Sequence, residues 1–299
     1  MEKKGKFEDV SKIHKPVMLQ EVTDYWFTKD DGIYLDATFG AGGHSSKLLT
    51  MLSPKGRVYG IDQDNIILKK NRAAIGRGNL KIIHDNFISL DVILHLEDVS
   101  NIDGILFDVG LSSFQIDSPK RGFSYIRDEE LDMRMDTQSD LSALDVVNGY
   151  DEESLANVIY NYGEERFSRG IAKAIVRERK ENKIISTLQL AKIVSRGVRG
   201  ANLSNIKRVF QAIRIEVNDE LNCLSVGLNK ALNALGKGGR IVVLTFHSLE
   251  DRIVKNIFKD GESKKKLKIL TKKPLKPSID EITMNSRAKS AKLRVGEKI

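Results

Sequence analysis

Cysteine is nearly missing from this chain of 299 residues, which holds only Cys223. A single cysteine excludes an intrachain disulfide and any cysteine-rich zinc site. Cys223 falls in a stretch of helical periodicity and reads as a small core residue. Histidine is also sparse: the five (14, 44, 84, 95, 247) never stand at a metal-ligand spacing such as H-x-x-x-H. No metal is expected. Long apolar runs are absent too, none approaching the ~18–20 residues that span a bilayer. The charged first ten residues lack the apolar stretch of a secretory signal. The expectation is a cytoplasmic protein without membrane attachment.

What is plentiful is positive charge. Lys and Arg number 49 against 41 Asp and Glu, a net charge of +8. That balance favours a polyanionic partner, because basic side chains gain affinity by releasing condensed counterions. The helical span Glu164–Glu181 carries Arg166, Arg169, Lys173, Arg177 and Lys180 on one face. Such a face is either a solvated surface or a track for phosphates.

From Gly32 to Asp108 short apolar strands alternate with helical spans. Strands are expected at 32–36, 57–62, 80–84 and 102–108. This alternation implies a parallel sheet with right-handed crossovers. From about Leu111 to Arg208 only helices are expected, at 151–162, 164–181 and 187–198. The α/β signal returns with an amphipathic helix from Glu220, ended by a glycine cap at Lys237-Gly238-Gly239, and a strand over 240–246. Ser263–Lys276, rich in lysine, reads as a loop. The predicted organisation is one α/β domain in two parts, 1–112 and 209–299 with a basic C-terminal tail, interrupted by a helical domain at 113–208.

The strongest local feature is DATFGAGGHS, Asp36 to Ser45, between a strand and a helix. Glycines there allow a sharp turn and a close approach of ligand to backbone N–H groups. The third glycine of G-x-G-x-x-G is absent, so the turn alone is a weak signal. Asp62 ends the next strand twenty residues after Gly42 and suits ribose hydroxyls. That spacing fits NAD and S-adenosylmethionine alike. Asp36, at the end of the first strand, separates them: it suits the ammonium of a methionine tail and opposes a pyrophosphate. A solvated strand-end carboxylate is the plain alternative. Phe87, after the third strand, either flanks an adenine or packs in the core.

Asp108 ends the fourth strand, at the edge where α/β sheets bind ligands. An exocyclic base amine is a poor nucleophile, because its lone pair is delocalised into the ring. Acceptors that take its N–H groups let the nitrogen pyramidalise toward a methyl donor. Asp108 is the candidate acceptor; a contact to the cofactor is its other reading.

These motifs resemble the MraW/RsmH family, bacterial methyltransferases acting on N4 of a cytidine in small-subunit ribosomal RNA. The likeness runs from about His14 to Arg294. It rests on HKPVML from His14, DATFGAGGHS from Asp36, GILFDVGLSS from Gly104, RGFS from Arg121 and LDMRMD from Leu131. YGEERF from Tyr162, FQAIR from Phe210, FHSLEDR from Phe246 and NSRAK from Asn285 extend it. Phe114 and Ser286 stand where the family commonly has proline.

The resemblance implies an α/β, class I (Rossmann-like) methyltransferase fold with an inserted α-helical substrate-recognition domain. It implies S-adenosyl-L-methionine as cofactor and 16S ribosomal RNA, or the small ribosomal subunit, as partner. By motif the cofactor contacts fall on Gly42, Gly43, His44, Asp62, Phe87, Asp108 and Gln115, with Asp108 also catalytic. His44 is expected to offer its backbone N–H more than its imidazole. RGFS and LDMRMD are expected to border the target pocket, or else to form a packed loop around Met133 and Met135. His247 is expected to touch the base or to order its loop, with Ser248 as the alternative cap of the next helix. An NAD-dependent oxidoreductase and a non-catalytic RNA-binding relic are the competing classes.

Overall fold

The computed structural model describes residues 16–71, 78–198 and 200–299. They form two compact units. One comprises the described residues up to Ser112 together with Leu221–Ile299, and the other Ser113–Glu220.

The first unit opens α1 (Leu19–Trp26), β1 (Ile33–Asp36), α2 (Gly43–Leu49), β2 (Arg57–Asp62), α3 (Asn65–Asn71), β3 (Leu80–His84), α4 (Leu90–Leu96) and β4 (Ile102–Asp108). The chain then builds the second unit from α5 (Ser113–Asp117), α6 (Ala143–Gly149), α7 (Glu152–Gly163), α8 (Ser168–Glu181), α9 (Thr187–Gly197) and α10 (Leu203–Asn218). It returns through α11 (Glu220–Ala234), β5 (Leu235–Thr245), α12 (Ser248–Ser263), β6 (Leu267–Ile269), α13 (Ile279–Met284) and β7 (Lys292–Lys298).

The seven strands run in the order β3-β2-β1-β4-β5-β7-β6. The first five are parallel; β7 lies antiparallel between β5 and β6. Strand alternation puts apolar residues on both faces. Leu35, Ile105, Phe107, Ile241 and Val243 face a core closed by Leu90 and Ile93 of α4, Leu224 and Leu228 of α11, and Phe258 of α12. Tyr34, Leu106, Val242, Leu244, Leu293 and Val295 face the other, closed by Trp26 of α1 and Leu48 of α2. This is the class I, Rossmann-like methyltransferase fold. The strand order reverses direction between β1 and β4, and the crevice beyond their carboxyl ends is where such sheets hold ligands.

Three local expectations are corrected. α11 stops at Ala234 and β5 begins directly at Leu235. Lys237-Gly238-Gly239 is therefore no helix cap: β4 pairs with Leu235 and again from Arg240, and a bulge takes up the residues between. Ser263–Lys276 is not a plain loop. Its centre is the edge strand β6, and Leu275 bridges to Leu293. The expected basic tail is β7, whose Leu293 and Val295 are fully buried.

The second unit holds helices and, among its described residues, no strand, only a single bridge between Glu130 and Ser186. α7 to α10 pack through Leu155, Ile159, Ile171, Ile175, Leu190, Val194, Val209 and Ile213, all buried. Asp151, Ser186 and Asn202 cap α7, α9 and α10 by accepting from backbone N–H groups of the first turns. α8 starts at Ser168, later than expected, because Glu164 takes a left-handed conformation and ends α7. The unit runs past the expected boundary at 208, because α10 is unbroken to Asn218 and buries Val209, Phe210, Ile213 and Ile215. Among the described residues no helix is long and apolar enough to cross a membrane.

Candidate active site

Three carboxyl groups stand at the ends of adjacent strands: Asp36 on β1, Asp62 on β2 and Asp108 on β4. The turn after β1 ties them together. Gly40 donates its N–H to Asp62 Oδ2 at 2.6 Å, and Asp64 donates to Oδ1 at 2.8 Å. Asp36 receives Ser45 Oγ at 2.6 Å and the Thr38 N–H at 3.3 Å. The Asp108 N–H donates to Thr38 Oγ1 at 2.7 Å, joining the β1 turn to the end of β4.

Two glycines of the turn have reasons visible in the packing. Gly42 has φ +74°, and a Cβ there would lie 2.6 Å from the Phe39 ring. A Cβ on Gly43 would lie 2.3 Å from Pro16 Cγ. The segment before α1 thus lies against the turn, and both glycines serve the protein's own packing as well as any ligand.

Charge is crowded here. Asp36 is buried, and burial with the neighbouring Asp62 charge pushes its pKa up to about 7 against the hydrogen bonds from Ser45 and Thr38. Burial pushes Asp62 up to about 6, although backbone N–H groups hold it down. Asp108 is pushed highest, to about 8, by burial first and then by the negative charges of Asp36 and Glu250. Among the described residues no Lys or Arg forms an ion pair with any of the three. A row of strand-end carboxyls that no Lys or Arg of the described residues pairs with suits a ligand that brings positive charge.

The His44 side chain has a structural place of its own. Its imidazole is buried, with Nε2 3.1 Å from the Val17 carbonyl and Nδ1 3.6 Å from Asp108 Oδ2. The ring therefore links the segment before α1 to Asp108. Phe87 is partly buried, edge-on to Phe107 at 5.4 Å and against Gly227 of α11. Its core reading holds, and the ring still sits at the carboxyl end of β3. Gln115 is buried on α5, in the second unit.

In the FHSLEDR motif His247 orders its loop, one of its two expected roles, by capping α12. His247, not Ser248, is the N-cap. Its Nδ1 accepts from the Glu250 N–H at 3.3 Å, while buried Glu250 accepts from the Phe246 and His247 N–H groups at 2.7 and 3.1 Å. Glu250 thereby comes to act on Asp108, a role no spacing in the sequence signals. Thr38 and Ser45 were also missed as organising residues, although both lie inside the DATFGAGGHS run.

In the second unit RGFS and LDMRMD form a packed loop. Met133 and Met135 are buried, and Arg121 donates to the Arg134 and Met135 carbonyls at 3.0 and 3.1 Å. The basic face of α8 is uneven. Arg166 precedes the helix and lies over the Phe167 ring at 4.6 Å, while Arg169, Lys173, Arg177 and Lys180 stand on the helix; all five are exposed.

Residues 11–299 match the MraW methylase family. A protein named ribosomal RNA small subunit methyltransferase H from Caldicellulosiruptor saccharolyticus is 49% identical, covering 96% of this chain and 99% of that protein. Proteins of the same name from Clostridium botulinum and Fusobacterium nucleatum are 45% and 44% identical, each over 96% of this chain and 99% and 97% of theirs. With nearly the whole sequence matched and the glycine turn and strand-end carboxyls in place on the sheet, the chain belongs to the MraW methylase family.

Proposed function

We propose that this protein transfers a methyl group from S-adenosylmethionine to the exocyclic N4 of a cytidine in 16S ribosomal RNA of the small subunit. The observation that carries the reading is the row Asp36, Asp62 and Asp108 at the point where the strand order reverses, crowded with negative charge and, among the described residues, ion-paired with no Lys or Arg. S-adenosylmethionine, when bound, supplies an electrophilic methyl on a cationic sulfonium and a second positive charge on its amino group. Asp36, at the end of β1, would face that amino group. Asp62, whose two oxygens each take one backbone N–H, keeps lone pairs for ribose hydroxyls. Gly42, Gly43 and the His44 backbone line the turn, and Phe87 offers a ring edge at the end of β3.

Asp108 handles the amine. As a carboxylate it accepts an N–H of the cytosine N4 and lets the nitrogen turn its lone pair toward the methyl carbon. As the carbon–nitrogen bond would form and the bond from methyl carbon to sulfur would break, with neutral S-adenosylhomocysteine as leaving group, N4 becomes acidic and Asp108 takes its proton. A raised pKa makes Asp108 a stronger base than an ordinary carboxylate, which suits this duty. The remainder of the rate comes from in-line positioning. A ribosomal RNA substrate implies work in the cytoplasm.

The test is methyl transfer from isotopically labelled S-adenosylmethionine to small-subunit RNA from cells lacking the protein, followed by mass spectrometry of the nucleosides. Label in N4-methylcytidine is the expected result. Label in protein alone, or in a different nucleoside, overturns the reading.

A further inference from the structure

The helical unit has a pocket that the methyl-transfer reading leaves unused. It lies between α8 and α9 and the turn joining them, with a volume of about 280 Å³. Buried Ala174 and Ile184 and partly buried Ile193 form its apolar floor. Four exposed cations surround it: Arg177 from α8, Lys183 from the turn, and Lys192 and Arg196 from α9. Glu178 is the one acidic residue of the lining. A Cβ on Gly197 would lie 2.9 Å from the Ala174 Cβ, so the end of α9 is seated tightly on α8 and the two basic rows are held close.

We propose that this pocket binds RNA backbone, seating a phosphodiester among Arg177, Lys183, Lys192 and Arg196 with an unstacked base over the apolar floor. The inference rests on the reading of the chain as an RNA methyltransferase. None of the four cations makes an ion pair within the described residues, in contrast to Arg127, Arg134, Arg208 and Arg214 of the same unit. Lys192 and Arg196 are four residues apart on one helix, a like-charge spacing that opposes folding. Complementarity to the helix dipole accounts for Arg196, in the last turn of α9, and not for the other three. A polyanion explains all four at once. Phosphate contacts here would position the RNA without choosing the base to be methylated.

Arg179, two positions from Arg177, supplies an internal contrast. It turns inward and donates to the Val147 and Tyr150 carbonyls, holding the end of α6. It is structural, whereas Arg177 is free to meet a ligand.

The experiment compares full-length wild type with Arg177→Gln/Lys192→Gln/Arg196→Gln. Binding of a small-subunit RNA fragment is followed by fluorescence anisotropy across a salt series, and methyl transfer is measured alongside. Glutamine keeps helix propensity at these exposed positions, and circular dichroism checks the fold. The triple variant is expected to bind at least about tenfold more weakly. Its slope of log affinity against log salt should be shallower by about 0.7, the value for one phosphate contact on a single strand. KM should rise while kcat stays unchanged. Glu178→Gln removes the lone anion of the lining and should tighten binding. Arg179→Gln should lower the melting temperature and leave the salt slope alone. A folded triple variant with wild-type affinity and slope overturns the proposal, whatever the methylation result. RNA binding lost in the triple variant, with no methyl transfer to RNA by wild type, upholds the pocket and removes the reading of the chain as an RNA methyltransferase.

Discussion

At the residue scale the chemistry turns on which groups hold protons. Asp108 is pushed up to about 8, with Glu250 among the causes, so at neutral pH the ligand-free protein holds much of it as the neutral acid. Only the carboxylate can take the proton that the amine loses. kcat/KM should therefore rise with pH and level off above about 8. Asp108→Asn should lower kcat by at least about 100-fold and remove that limb. Glu250→Gln takes away one of the charges that raise Asp108, and its limb should move to lower pH. A wild-type profile flat from pH 6 to 9 would refute this assignment.

The same protons bear on stability, and the sign follows from linkage. Asp36, Asp62 and Asp108 are all raised above the ordinary 3.8. Between about pH 4 and the raised values, to about 8, the native state binds more protons than the unfolded chain. Stability then falls as pH rises through that window. Asp251, held low by Arg294 and Lys292, acts below pH 4 and does not cancel the trend. The melting temperature of the ligand-free protein should be higher at pH 5 than at pH 8, and Asp108→Asn should narrow the gap. A melting temperature that climbs over that interval would contradict the crowding of charge at the sheet edge.

At the scale of elements, α11 and the end of β3 are fitted to each other. A Cβ at Gly227 would stand 2.6 Å from the Phe87 ring. Gly227→Ala gains about 1 kcal/mol of helix propensity, yet overpacking of this kind costs about 1–3 kcal/mol. The net expectation is destabilisation in urea titration, with weaker cofactor binding because Phe87 is displaced from its place against Phe107. Unchanged stability and unchanged affinity would show that the ring moves freely there.

Elements were legible in the sequence where period and length agreed. β1, β2, β3 and β4 lie at the expected positions because short apolar runs are bounded by turns and followed by helical spans. α7 and α9 fell close to expectation because both spans look helical in the sequence, and the structure adds Asp151 and Ser186 as their caps. The rest was obscured by local chemistry. Lys237-Gly238-Gly239 looks like a helix stop, and only the ladder to β4 shows it to be a bulge. β6 is three residues among lysines, which blunt an edge strand and hide its pattern. Of the site, Asp36, Asp62 and Asp108 were legible because strand ends are. The His44 ring, Thr38 and Glu250 were not, since their partners come from other strands and segments.

At the scale of the whole chain, the last eight residues show how far composition misleads about position. Lys292 to Ile299 (KLRVGEKI) is charged enough to read as a solvated tail. Its apolar residues alternate, however, and the alternation places Leu293 and Val295 in a core beside Val242 and Leu244. The polar residues are used as well: Arg294 and Lys292 both meet Asp251 of α12, at 2.7 and 3.0 Å. The strand lies between β5 and β6, so removing it opens the edge of β5 and leaves β6 with nothing to pair. Each of the two buried side chains contributes about 1.5–3 kcal/mol by burial alone, and a whole domain has only about 5–15 kcal/mol in hand. Deleting residues 292–299 should therefore abolish cooperative unfolding of the α/β unit. Leu293→Ala should cost about 2–5 kcal/mol and keep the transition. Thermal melts followed by circular dichroism distinguish the two variants. A truncated protein that still melts cooperatively near the wild-type temperature would mean that β7 is the accessory tail its composition suggests. A truncated chain without a transition would make the C-terminus as necessary to the methyltransferase fold as the strands that carry Asp36 and Asp108.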